Sequence, residues 1–205
     1  MSTAGPNYAT VIAATGSADW VNIANMGALD AALAVFPDAG TWSPTGNTDI
    51  VRMQGFGFDL PADAVIVSIT GTATARLASG TGPLTWLAVR LYDPVGESWT
   101  SGSDISAGTS LTSVSTGVSQ TVTLLDPDDL LWGLTGVDAD FVNDADFGIQ
   151  WRLRNGGPDA ASVEVDAVSL EIAYTSASES GAPAGAIATP PPLIASRYAA
   201  RRRGR

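Results

Sequence analysis

The side chains able to do chemistry in this chain are almost all aspartates. Asp126, Asp128 and Asp129 form one cluster, and Asp138, Asp140, Asp144 and Asp146 form a second. Aspartate-rich loops can supply the roughly six to eight oxygens that a calcium ion takes. This spacing matches no EF-hand loop and lacks its closing glutamate, so solvated turns and caps are the stronger reading. Glycoside hydrolysis would need two carboxylates at a set separation in one cleft, which abundance of Asp does not supply. With no cysteine and no histidine in the sequence, thiolate nucleophiles, disulfides, the usual zinc sites and Ser-His-Asp chemistry are excluded. No catalytic residue, metal or cofactor is assigned, and the chain reads as a non-enzyme.

Two other sets of side chains could recognise a ligand or a partner. Of the six tryptophans, Trp20, Trp132 and Trp151 fall in strand or motif context and are expected in the core. Trp42, Trp86 and Trp99 are the candidates for stacking on a sugar ring, since an aromatic face packs against one. For Trp42, in a loop dense in Pro, Gly and Asn, a lid over the core is the stronger expectation. The second set closes the chain. Arg197, Arg201, Arg202, Arg203 and Arg205 lie in the last nine residues, near Leu193, Ile194 and Tyr198. Guanidinium forks bind carboxylates directionally, so these residues are expected to anchor the tail on an acidic groove of a neighbouring subunit. Nucleic acid is the weaker partner, because the body is acidic. Before Arg197 five arginines face twenty-one acids, a net charge of −16, against −11 for the whole chain. That charge opposes DNA and keeps many copies soluble.

The elements that must position these residues are strands. Around residues 146–153, Phe147, Ile149, Trp151 and Leu153 alternate with Gln150 and Arg152, continuing to Arg154, the period-two signature of a half-buried strand. Val168, Leu170, Ile172 and Tyr174 alternate with Ser169, Glu171 and Ala173, while Val163 and Val165 have the opposite phase. The slip at Asp166-Ala167 predicts a bulge or a bend between sheets. Asn155-Gly156-Gly157-Pro158-Asp159 is turn chemistry, and the two strands are expected to form a central antiparallel pair. Residues 8–14 predict a first strand. An irregular segment around Trp20, Asn22 and Asn25 then leads into a strand near 31–36. Ile50, Phe56, Phe58 and Leu60 share a parity with Arg52 and Gln54, which predicts a strand buried only towards its end. Val65, Val67, Ile69, Gly71, Ala73, Ala75 and Leu77 share one phase. Residues 84–92 place Leu87, Val89 and Leu91 inward and Trp86, Arg90 and Tyr92 outward, as the partner of that long strand in a hairpin. Residues 97–123 are a polar tract, with Val118, Val122 and Leu124 marking a strand. Asp126 to Asp129 cap a turn into Leu130-Leu131-Trp132-Gly133, and residues 138–143 suggest one helical turn.

Seven or eight short strands with almost no helical period predict an all-β fold, an antiparallel sandwich of jelly-roll type. The expected division is a sandwich over 1–175 and a Pro-rich linker with an Arg-rich anchoring tail over 176–205, where small residues and three consecutive prolines cannot fold alone. No apolar run approaches the ~18 residues of a membrane span, and the first residues lack a basic start and an apolar core. The chain is therefore expected to be made as a soluble cytosolic protein with no membrane contact.

Trp20-x-Asn22-x-x-Asn25, then GFGFDLPADAVIVSI at 55–69, LLWGLTGVDADFVNDADFGIQWRL at 130–153 and VDAVSLEIAYT at 165–175 resemble, in order, the galactose-binding-like jelly rolls of tailed-bacteriophage virion structural proteins, of minor tail or decoration type. Gly136 replaces a tryptophan frequent in such modules, and Ala173 precedes Tyr174 where two tyrosines are usual. The resemblance implies a non-enzymatic virion protein of the tail, neck or head surface, present in many copies or as a homo-oligomer and bound to other virion proteins. The alternative function is a carbohydrate-binding module that attaches to host-surface glycans.

Overall fold

The computed structural model describes residues 1–16, 20–37, 42–43, 46–81, 83–94, 98–99, 110–111, 116–125 and 129–176. Within them lie strands β1 (Ser2–Tyr8), β2 (Val11–Ala14), β3 (Ala34–Phe36), β4 (Val51–Gln54), β5 (Val65–Ser79), β6 (Leu84–Asp93), β7 (Ser98–Trp99), β8 (Ser110–Leu111), β9 (Gln120–Leu124), β10 (Gly148–Asn155) and β11 (Ser162–Thr175), with a 3-10 turn at Ile23–Met26 and one short helix, α1 (Ala139–Asn143). All pairings between these strands are antiparallel. Sheet A has the order β1-β11-β5-β9, with β3 also on β11; sheet B has the order β2-β4-β10-β6-β7, with β8 also on β6.

From β3 onward, every connection except β6 to β7 and β7 to β8 passes from one sheet to the other. The resulting orders β3-β11-β5-β9 and β4-β10-β6-β7 are those of an eight-stranded jelly roll. The expected fold class is therefore observed. Two expected pairings are not. β10 and β11 are each central in a sheet, but in different sheets, and β5 and β6 are likewise separated. Turn residues show that the chain reverses; they do not show whether it returns beside its predecessor or across the core. The link from β10 to β11 is organised by Asn155, fully buried, whose amide donates to the carbonyls of Asp159 at 2.8 Å and of Trp42 and Ser43 at 3.4 Å, while its Oδ1 accepts from the Gly157 amide.

Bulges account for the remaining differences of phase. The slip expected at Asp166-Ala167 is present: Val165 pairs with Ala75 and Ala167 with Thr74. A second bulge lies on β6. Gln150 pairs with Arg90 but Arg152 pairs with Leu87, and Ala88 takes the left-handed φ of 50°. The extra residue reverses the parity, so Leu84 and Trp86 point inward before it, Val89 and Leu91 after it, and the expected outward Trp86 and inward Leu87 are both corrected. On β5 the slip at the Ala173/Tyr174 register buries Ile66 and leaves Val65 exposed. Positive φ at Gly55 and Gly57 similarly separates Val51 and Met53, buried in β4, from Phe56, Phe58 and Leu60, buried beyond it. The strand expected over 8–14 is narrower, β2 in sheet B, and an unexpected β1 precedes it in sheet A, with the crossing at Ala9-Thr10.

Between the sheets, rings pack in one continuous run, edge to face at every step but the tilted pair of Phe36 and Trp20. Trp42 meets Phe36 at 5.3 Å between centroids, Phe36 meets Trp20 at 5.2 Å, Trp20 meets Trp151 at 5.8 Å, and Trp151 meets Trp86 at 4.7 Å. A second group joins Phe56, Phe58, Phe147 and Phe141. Separations of this size suit the ring quadrupoles, and they fix the sheets on whose outer faces the ligand-accessible side chains stand.

Candidate functional site: an open groove on the outer face of sheet A

Three of the carboxylates singled out in the sequence, Asp129, Asp138 and Asp144, serve the backbone. Asp138 Oδ1 accepts from the Phe141 amide at 3.0 Å as the N-cap of α1. Asp129 accepts from the amides of Leu131 and Gly133, both at 2.9 Å, and Asp144 accepts from the Asp146 amide at 2.8 Å. These are the caps and turns expected of Asp. Among the described residues no three acidic side chains gather as a metal site; Asp126 and Asp128 lie outside those residues.

Two of the three glycan-contact candidates need correction. Trp86 is fully buried and Trp42 is only 4% exposed, so neither offers a ring face to solvent. Trp86 is drawn inward by the Ala88 bulge, and Trp42 closes over Phe36 as the lid expected of it. Trp99 pairs with Tyr92 through its backbone, and its side chain lies outside the described residues. So do Leu193, Ile194, Arg197, Tyr198, Arg201, Arg202, Arg203 and Arg205.

Sequence reasoning missed the concave surface on sheet A. A groove of about 260 Å³ is lined by Pro6 and Tyr8 of β1, Leu29, Thr70, Thr72 and Thr74 of β5, Thr121 of β9, and Ala167, Ser169 and Glu171 of β11. Strand register makes this a lattice of hydroxyls. Tyr8 is opposite Ser169, Ser169 opposite Thr72, and Thr72 opposite Thr123, giving one row across four strands. Thr74 is opposite Thr121, their hydroxyls 3.4 Å apart, and Thr70 is opposite Glu171. Each hydroxyl both donates and accepts. The signal was in the sequence as Thr70-x-Thr72-x-Thr74, the face of β5 opposite to its buried residues.

The groove's walls are held by local devices. Gly5, at φ 108°, breaks the register of β1 between Ala4 and Asn7, and a Cβ there would come within 2.7 Å of the Leu170 carbonyl. This kink sets Pro6 and Tyr8 along the rim. On the same side, the bulged Asp166 accepts from the Ala31 amide at 3.0 Å and Gly27 bridges to Ala167, which pins the loop carrying Leu29, itself 58% exposed. Beyond the groove, Arg76 and Glu164 form an ion pair across β5 and β11. That pairing leaves Glu171 as the groove's carboxylate.

No family model matches the chain, and no curated protein matches its sequence. The chain is similar to a xylan-binding module, CBM15, at 13% sequence identity and a TM-score of 0.36, with 81% of this chain and 89% of that one covered.

Proposed function

We propose that the sandwich is a non-catalytic binding module whose sheet A groove takes an extended neutral glycan. The observation that supports this most directly is the hydroxyl lattice of Thr70, Thr72, Thr74, Thr121 and Ser169 between the ring of Tyr8, the apolar Pro6 and Leu29, and the carboxylate of Glu171. A sugar chain presents alternating hydroxyls and C–H faces. The hydroxyls find donors and acceptors at the strand spacing, the C–H faces find Tyr8 and Leu29, and one carboxylate can accept from a vicinal diol. One carboxylate binds; acid-base hydrolysis of a glycosidic bond calls for two. Titration against a panel of neutral polysaccharides should find a binder. Tyr8→Ala and Glu171→Gln should each weaken it about tenfold, or ~1.4 kcal/mol, without moving the melting temperature. Silence across the panel would reject the reading.

A second reading, supported by the order of motifs over 20–175 and by the change of composition beyond Thr175, is a virion structural protein of a tailed phage. In it the sandwich is displayed on the tail, neck or head surface, and the segment with Leu193, Ile194, Tyr198 and the five arginines docks on a neighbouring subunit. Removing residues 190–205 should leave the melting temperature unchanged and abolish incorporation into particles; normal incorporation would reject the anchor. The two readings are compatible, since a displayed module is where a glycan contact would act.

A further inference from the structure

The acidic body holds five arginines, and their placement is not even. Arg76 is paired with Glu164 on sheet A. The other four, Arg52 of β4, Arg90 of β6 and Arg152 and Arg154 of β10, all belong to the outer face of sheet B, on the opposite side of the molecule from the hydroxyl groove. Arg52 is opposite Gln150 and Gln150 opposite Arg90, so two guanidinium groups flank one amide in a single row. Two strand spacings separate them, about 9.5 Å at the backbone. Arg152 and Arg154 continue the array along β10, about 6.7 Å apart at the backbone. Among the described residues, the neighbouring outward positions Val11, Ala13, Gln54, Thr85, Leu87 and Tyr92 carry no acid. Among the described residues Arg90, Arg152 and Arg154 have no carboxylate partner, and the Nε atoms of Arg90 and Arg152 are buried without an acceptor. Like charges gathered on one sheet face repel one another, and a body with fifteen more acids than bases over residues 1–175 sets no carboxylate against Arg90, Arg152 or Arg154 among the described residues.

We propose that the outer face of sheet B is a second binding surface, and that its occupant is a carboxylate-bearing polysaccharide. Guanidinium groups take carboxylates bidentately, and a periodic array along paired strands suits a chain whose charges recur along its length. Each exposed pair is weak in water, so the contact depends on several being made at once. The charge density of the occupant is limited by the rest of the molecule. A body this acidic repels nucleic acid, with a charge on every phosphate, more strongly than a glycan with one carboxylate per sugar or fewer. This surface shares no residue with the groove on sheet A, and the proposal stands or falls separately from the neutral-glycan reading.

The test uses the full chain with polygalacturonate as the probe, its methyl-esterified form as the uncharged control, and a DNA oligonucleotide as the competing polyanion. Binding to polygalacturonate is expected, weakening as salt is raised, with little binding to the ester. The Arg90→Gln/Arg154→Gln double variant should lose about tenfold in affinity at an unchanged melting temperature. Arg90→Lys/Arg154→Lys, which keeps the charge and loses the fork, should fall between. Absence of binding to polygalacturonate, equal binding to the ester, an undiminished double variant or tighter binding to DNA would each overturn the proposal. Salt-sensitive self-association in sedimentation that the same double variant abolishes would overturn it too, by assigning the face to a second copy of the chain.

Discussion

Asp166 does two things at once, and neither follows from its type alone. It is the extra residue of a bulge in the longest-paired strand, and its carboxylate, on a residue only 8% exposed, holds the Ala31 amide. Replacing it with alanine leaves that amide without its acceptor and frees the Leu29 loop. The expected loss is about 1–3 kcal/mol in urea denaturation, together with weaker binding of the neutral glycan; Asp166→Asn, which keeps an acceptor oxygen, should recover most of both. Trp86 belongs to a different category. It has no exposed surface and its ring meets Trp151 at 4.7 Å, so Trp86→Ala should cost about 3–5 kcal/mol. Any loss of ligand binding in that variant would therefore track unfolding. At the other extreme, Asp138→Ala removes one cap from a helix of a single turn and should cost about 1 kcal/mol in the same measurement.

The strands were legible in the sequence wherever the alternation was uninterrupted, and misread wherever one residue broke it. Phe147, Ile149, Trp151 and Leu153 line the core as their spacing implied. The Asp166 bulge could be anticipated because hydrophobic residues on both sides of it declared opposite phases. The β6 bulge could not: Leu84, Leu87, Val89 and Leu91 offer two apolar registers, and the left-handed Ala88 that selects between them has no special residue type to announce it. A non-glycine residue in that conformation costs roughly 1–2 kcal/mol, and glycine in a strand costs about 0.5–1 kcal/mol in backbone freedom. Ala88→Gly should therefore stabilise the protein by about 0.5–1 kcal/mol, read as a higher urea midpoint with an unchanged slope; destabilisation would mean that the Ala88 methyl packs better than its 9% exposure implies. Gly148 tests the opposite case. A Cβ there would run into the Met53 carbonyl across the β4 pairing, so Gly148→Ala should cost about 1–3 kcal/mol. The groove escaped for a related reason. Strand parity gives the faces of each strand, but Tyr8, Thr72, Ser169 and Thr123 become one row only when four strands distant in sequence are ordered β1-β11-β5-β9, and nothing local specifies that order.

At the scale of the whole molecule, the jelly roll turns one hydrophobic core into two outward surfaces of different chemistry. Sheet A presents hydroxyls and a single groove carboxylate; sheet B presents four arginines. Sheets packed face to face lie about 10 Å apart, so side chains on the two outer surfaces are farther from one another than the ~7–10 Å over which mutational effects interact. The material between them is a run of interlocking rings, from Trp42 through Phe36, Trp20 and Trp151 to Trp86, and a core packed in this way deforms little under a change at its surface. The two faces should thus act as independent sites on one rigid support. Combining Tyr8→Ala with Arg90→Gln/Arg154→Gln should give a protein whose affinity for a neutral glycan equals that of Tyr8→Ala alone and whose affinity for polygalacturonate equals that of the arginine variant alone, each within ~0.5 kcal/mol. A coupling well above that figure would require either a core with two packings, biased by both surfaces, or one ligand long enough to wrap an edge of the sandwich and touch both. The two are distinguished by chain length: short oligosaccharides would retain the coupling in the first case and lose it in the second.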